Sequence, residues 1–143
     1  MEWAALITWI VTAGGGFVLL ATWLKHGGVR QAGEPGRRIR PPIIFSHFVL
    51  AAAGLVLWIV YLGTDSEALA WIAFVILAVV ALLGFTMFAI WLGQRGRRRV
   101  AEVSAAPAEP AEQRFPVPIV GLHGVLAATT LVLVLLTALG VGE

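Results

Sequence analysis

Cysteine is absent from the chain, which excludes disulfides, thiolate metal sites and thiol redox chemistry. Charge is scarce. Only 13% of the 143 residues are charged against 59% hydrophobic, and the mean hydropathy is +0.91. A water-soluble domain of this length carries far more polar surface. The long apolar runs also lack acidic residues: every Asp and Glu lies in a loop or near a chain end. A proton-coupled exporter therefore misses the intramembrane carboxylate it needs. No basic stretch precedes the first apolar run, so that run reads as a span and not as a cleaved signal peptide.

The apolar runs themselves set the fold. A bilayer core of ~30 Å takes ~20 helical residues, and four segments reach that length: about Trp3–Leu24, Pro42–Leu62, Ala68–Leu92 and Pro116–Leu139. Pro42 and Pro116 suit helix starts, where a missing N–H costs nothing. Lys25, Arg30, Arg37, Arg38 and Arg40 fill the loop after the first span, and Arg95, Arg97, Arg98, Arg99 and Arg114 the loop after the third. The middle connection "GTDSEA" is short and acidic. The positive-inside rule places both basic loops in the cytoplasm of a plasma-membrane protein and both termini outside. This distribution of charge points to membrane topology and away from nucleic acid.

Within the second basic loop, "VAEVSAAPAEPAEQ" (100–113) is an Ala/Pro/Glu run without apolar periodicity and reads as a flexible linker. The first, "KHGGVRQAGEPGRRIR", is Gly-rich but lacks the spacing and the strand-loop-helix context of a phosphate-binding loop.

The chain also echoes itself. "PIIFSHFVLAAAGLVL" at 42–57 returns as "PIVGLHGVLAATTLVL" at 118–133, and "GFVLLATWL" (Gly16–Leu24) returns as "GFTMFAIWL" (Gly84–Leu92). Proline, histidine, glycine and tryptophan recur in register. The reading is an all-α membrane protein: one antiparallel four-transmembrane-helix bundle made of two duplicated helical hairpins, about 3–62 and 68–139. A two-span unit returns the chain to its starting side, so the copies are expected to share a pseudo-two-fold axis along the membrane normal.

That symmetry gives the histidines a meaning. His47 and His123 each lie five residues inside a proline, about 7.5 Å along helices that run in the same direction. They are expected at equal depth on either side of the axis, where one planar group could take a nitrogen from each half. A b-type haem, with two axial imidazoles, fits such a site in a bundle core. Ala51 and Gly54, with Ala127 and Thr130 at the equivalent places, lie one and two turns beyond the histidines and would make room for the ring. Gly14, Gly15, Gly16 and Gly84 would allow close approach of backbone. Arg37, Arg38, Arg40 and Arg114 stand where propionates would emerge.

The plainer alternative has each histidine in the headgroup zone, with the small residues serving helix packing alone. His26, whose repeat counterpart is Gln94, reads as interfacial. Of the six tryptophans, most fit an aromatic belt, with Trp9 and Trp58 the ones to pack deeper. Two histidines leave a zinc or copper site short of protein ligands. Ser46 and His47, adjacent on a helix, point about 100° apart and make no catalytic dyad.

The four-span layout and the pair His47 and His123 resemble small b-type membrane cytochromes: the four-helix cytochrome b561-like proteins and the haem-binding anchor subunits of succinate dehydrogenase. The resemblance implies electron transfer to or from a quinone or a partner protein. Two-haem members of the b561-like group need four histidine ligands, so one haem is the most that this pair could hold. The competing class is a non-catalytic structural or accessory subunit of a larger membrane (respiratory) complex, and colour separates the two; in either case the chain could act within a homo-oligomer or a larger complex.

Because the chain has no cysteine, Ala105→Cys and Asp65→Cys give single-site reporters of topology. A membrane-impermeant maleimide applied to intact cells is expected to label position 65 and to miss position 105 until the membrane is opened. The reverse pattern overturns the orientation.

Overall fold

Apolar sequence in a bilayer must satisfy each backbone N–H and C=O internally, and a helix does this within one segment. The computed structural model of the chain describes residues 1–33, 39–98 and 109–141. Its long helices are α1 (Glu2–Lys25), α2 (Pro41–Thr64), α3 (Glu67–Arg98) and α4 (Val117–Ala138). All four are long and apolar enough to cross a membrane, so the chain is an integral membrane protein built as a four-helix bundle. Two short 3-10 turns, Arg30–Gly33 and Ala111–Arg114, lie in the basic loops.

The helix limits follow local chemistry. Pro41 and Pro42 open α2 at positions that need no N–H partner, and Pro118 does the same in α4. Asp65, at φ 50°, takes the left-handed conformation that ends α2 and lets α3 begin two residues later. Unlike the expected Ala68–Leu92 span, α3 runs for 32 residues. That is about 48 Å, well beyond the hydrocarbon core, and carries Gln94 and Arg95 out to the basic-loop end.

Packing is pairwise. The closest interfaces are α1 with α4 and α2 with α3. Exchanging α1 for α3 and α2 for α4 turns one of these interfaces into the other. The buried positions follow the same rule. α1 buries Ala5, Trp9, Thr12 and Trp23, and α3 buries Ala73, Leu77, Val80 and Trp91, each 68 residues later. α2 buries Gly54, Trp58 and Tyr61, and α4 buries Thr130, Val134 and Thr137, each 76 residues later. These are the two offsets of the sequence echo.

The core divides into two clusters. At the end bearing the α2–α3 turn, Trp9, Trp58, Tyr61, Leu77, Val80 and Val134 pack together. Glu2 ties α1 to α2 there: its carboxylate accepts the Tyr61 hydroxyl at 2.9 Å, and its carbonyl accepts Trp58 Nε1–H at 3.4 Å. At the basic-loop end, Trp23, Ile39, Ile44, Trp91 and Ala111 form the second cluster. Trp9 and Trp58 are buried as expected, but Trp23 and Trp91 are equally buried. Only Trp3 and Trp71 keep enough exposed surface to suit an aromatic belt. The indoles of Trp23 and Trp91 are covered because the loops fold back over them. Gly28, for example, lies so close to Trp23 that it has no room for a Cβ.

Part of the expected linker is also built. Residues 99–108 lie outside the described residues, but Ala111 and Glu112 are buried. The Glu112 carboxylate, 1% exposed, accepts Ile39 N–H at 3.0 Å and Gln94 Nε2–H at 2.7 Å. Gln113 adds a bond to Gln94 Oε1 at 2.7 Å, and Gln31 accepts Ala111 N–H at 3.0 Å. Side-chain acceptors thus replace periodic apolar contacts, which is why periodicity did not reveal the element.

Glu112→Ala leaves one buried and one part-buried donor without their acceptor and is expected to cost about 1–3 kcal/mol. Glu112→Gln keeps an oxygen there and should cost less than half as much. Thermal unfolding in detergent measures both, and equal losses would contradict the assigned role.

Candidate functional site

Between the two clusters the bundle has a waist. No residue of 13–22, 45–53, 81–90 or 117–129 is buried, on any of the four helices. At ~1.5 Å per residue the stretch on α1 and α3 is about 15 Å tall. His47 and His123 both lie in it.

The two imidazoles are held alike. His47 Nδ1–H donates to the Val80 carbonyl of α3 at 3.0 Å, and His123 Nδ1–H donates to the Thr12 carbonyl of α1 at 2.9 Å. A carbonyl can only accept, so in each ring Nδ1 carries the proton and Nε2 of the neutral imidazole is left with its lone pair. Among the described residues neither Nε2 has a hydrogen-bond partner. The ring centroids are 6.3 Å apart with their planes at 55°.

The acceptors are carbonyls that already serve a helix, so each uses its second lone pair. What uncovers them is a glycine. In a helix the side chain of residue i+4 stands beside the carbonyl of residue i, as the Thr12 hydroxyl does in bonding to the Thr8 carbonyl at 2.7 Å. Gly16 and Gly84 are the i+4 residues of Thr12 and Val80. A Cβ on Gly16 would come to 3.2 Å from His123 Cε1, and one on Gly84 to 3.3 Å from His47 Cε1. Gly15 also lies against His123, whereas Gly14 faces open space.

The other candidates divide. Ala51 and Ala127, one turn from the histidines, are half-buried in the waist. Gly54 is a correction: a Cβ there would meet Trp9 at 3.0 Å and Ile76 at 3.2 Å, so its space is taken by an indole of the core and not left for a ligand. Thr130 likewise belongs to that packed end, fully buried with its hydroxyl returned to the Leu126 carbonyl at 2.8 Å. Arg40 is exposed at the start of α2, and Arg114 pairs with Glu109 at 2.6 Å. Arg37 and Arg38 lie outside the described residues. His26 is exposed and bonded to the Thr22 carbonyl of its own helix at 2.7 Å, a helix-end contact.

Sequence reasoning missed the two carbonyl acceptors and Glu112. The acceptors had a signal, since Gly16 and Gly84 recur in the echo as the histidines do. Among the described residues no group of three or more His, Asp or Glu side chains converges. No protein-family model matches the chain, and no curated protein or solved structure matches it either. The functional reading therefore stands on the geometry of the pair.

Gly84→Val is expected to cost about 1–3 kcal/mol by crowding His47. The cost should fall by more than half in a His47→Ala background, as coupled neighbours require. Gly124→Val, at a site with nothing within 4 Å, is the control and should be near neutral. Additive losses in thermal unfolding would show that Gly84 and His47 do not act together.

Proposed function

We propose that the protein is a membrane b-type cytochrome, with one haem b held between His47 Nε2 and His123 Nε2. The observation that carries this reading is the spacing of two rings with free Nε2 atoms. Metal–imidazole bonds of about 2 Å on either side of one metal bring ring centroids about 6 Å apart, and the observed separation is 6.3 Å. The unburied waist around the pair supports it, as does the donor chemistry: two neutral imidazoles and no thiolate or carboxylate.

Bound haem supplies a one-electron ferric–ferrous couple. The chain's own part is to hold and tune. The carbonyls of Thr12 and Val80 fix each ring's tautomer and rotation, as outer-shell acceptors do for metal-ligating histidines. Apolar helix on all sides lowers the local dielectric and keeps water away. A duplicated hairpin accounts for the matched ligands, because each copy contributes one histidine and one carbonyl. With the basic loops in the cytoplasm, the pair lies toward the cytoplasmic side, where electrons would pass to or from a quinone or a partner protein.

The reduced-minus-oxidised visible spectrum of detergent-purified protein tests the reading. Sharp b-type bands are expected, and both His47→Ala and His123→Ala should abolish them. Protein that stays colourless when expressed with ample haem would defeat the proposal and favour the accessory-subunit alternative.

A further inference from the structure

One buried donor in the second cluster is left over. Trp91 is 5% exposed, and among the described residues its indole Nε1–H has no hydrogen-bond partner. The comparable donor on Trp58 is matched by the Glu2 carbonyl. A buried N–H without an acceptor is costly enough to need a reason.

The surroundings of Trp91 narrow what is missing. Donors already occupy oxygens of the polar knot: Glu112 Oε1 takes both Ile39 N–H and Gln94 Nε2–H, and Gln94 Oε1 takes Gln113 Nε2–H, while the Trp91 indole N–H reaches neither. Beside the indole stands a cation, with the Arg95 guanidinium 4.9 Å from the ring centroid. A lone N–H next to a guanidinium calls for an anionic acceptor.

Its place points at the histidine pair. Trp91 follows Gly84 by seven residues, two turns that return it to the same face of α3 within about 20°, and about 10 Å nearer the basic-loop end. Gly84 is the residue against which His47 packs. From the α2 side, Trp91 shares its cluster with Ile44, one turn before His47. We infer that Trp91 Nε1–H donates to a propionate carboxylate of the haem proposed between His47 and His123. The inference rests on that reading and deepens it: a ligand arm, and not only an iron, is recognised. Arg95 adds positive potential beside it, while Arg114 is already paired with Glu109.

Titrating hemin and its dimethyl ester, which lacks the free carboxylates, into purified apoprotein and into Trp91→Phe separates the possibilities. A charge-assisted hydrogen bond should make Trp91→Phe bind hemin roughly tenfold to a hundredfold more weakly. The ester should bind the two proteins within about threefold, a ratio that also reports whether the variant is folded. Equal weakening for hemin and ester would mean that Trp91 only packs, and would overturn the inference while leaving the haem reading standing. Unchanged hemin affinity in the variant would overturn it in the same way. Hemin that fails to bind wild-type protein would end both.

Discussion

A histidine inside a bilayer must place its ring N–H on an acceptor, because lipid offers none. The acceptors these rings find are helix carbonyls with a second lone pair, which are usually covered by the side chain four residues on. Gly16 and Gly84 remove the cover. Each imidazole then reaches across to the other hairpin, His123 to α1 and His47 to α3. The same contacts select which helices lie closest, since α1 pairs with α4 and α2 with α3. Glycine position, ring orientation and helix pairing are thus one constraint seen three ways.

The bundle is closed above and below this level by different means. At the α2–α3 turn the seal is aromatic and aliphatic, with the Glu2 carboxylate and carbonyl satisfying the polar tips of Tyr61 and Trp58. At the basic-loop end the seal is a buried polar knot around Glu112, whose acceptors bind a backbone N–H from one loop and a glutamine of α3. Polar knots of this kind are exacting, because removing any one member strands the others. The waist between the two seals is the part of the bundle where side chains are least committed to one another.

Much of this was legible in the sequence. Apolar length fixed the four helices, since a bilayer leaves few other options, and the echo of Pro, His, Gly and Trp runs at the same two offsets as the buried positions. The small residues were harder. Gly54 and Ala51 look alike as sequence, yet one seats Trp9 and the other lines the waist. That difference depends on which helix lies opposite. Trp23 and Trp91 were read as interfacial from their nearness to span ends, which says nothing of a loop folding back over them. Glu112 could not be found by periodicity, because a side-chain acceptor holds its turn in place.

The two offsets, 68 residues for α1 against α3 and 76 for α2 against α4, make the second basic loop eight residues longer than the first. Those residues fall in the loop that carries the Glu112 turn, and that turn bonds to the first basic loop at Ile39 and to α3 at Gln94. The two halves are therefore alike at the imidazoles and unlike at the rim. A ligand with two identical faces but one distinctive edge would meet equivalent holds on its faces and a single preferred way in. The paired scaffold confers equality and the extra loop confers polarity, so orientation could be re-engineered at the rim without touching the histidines.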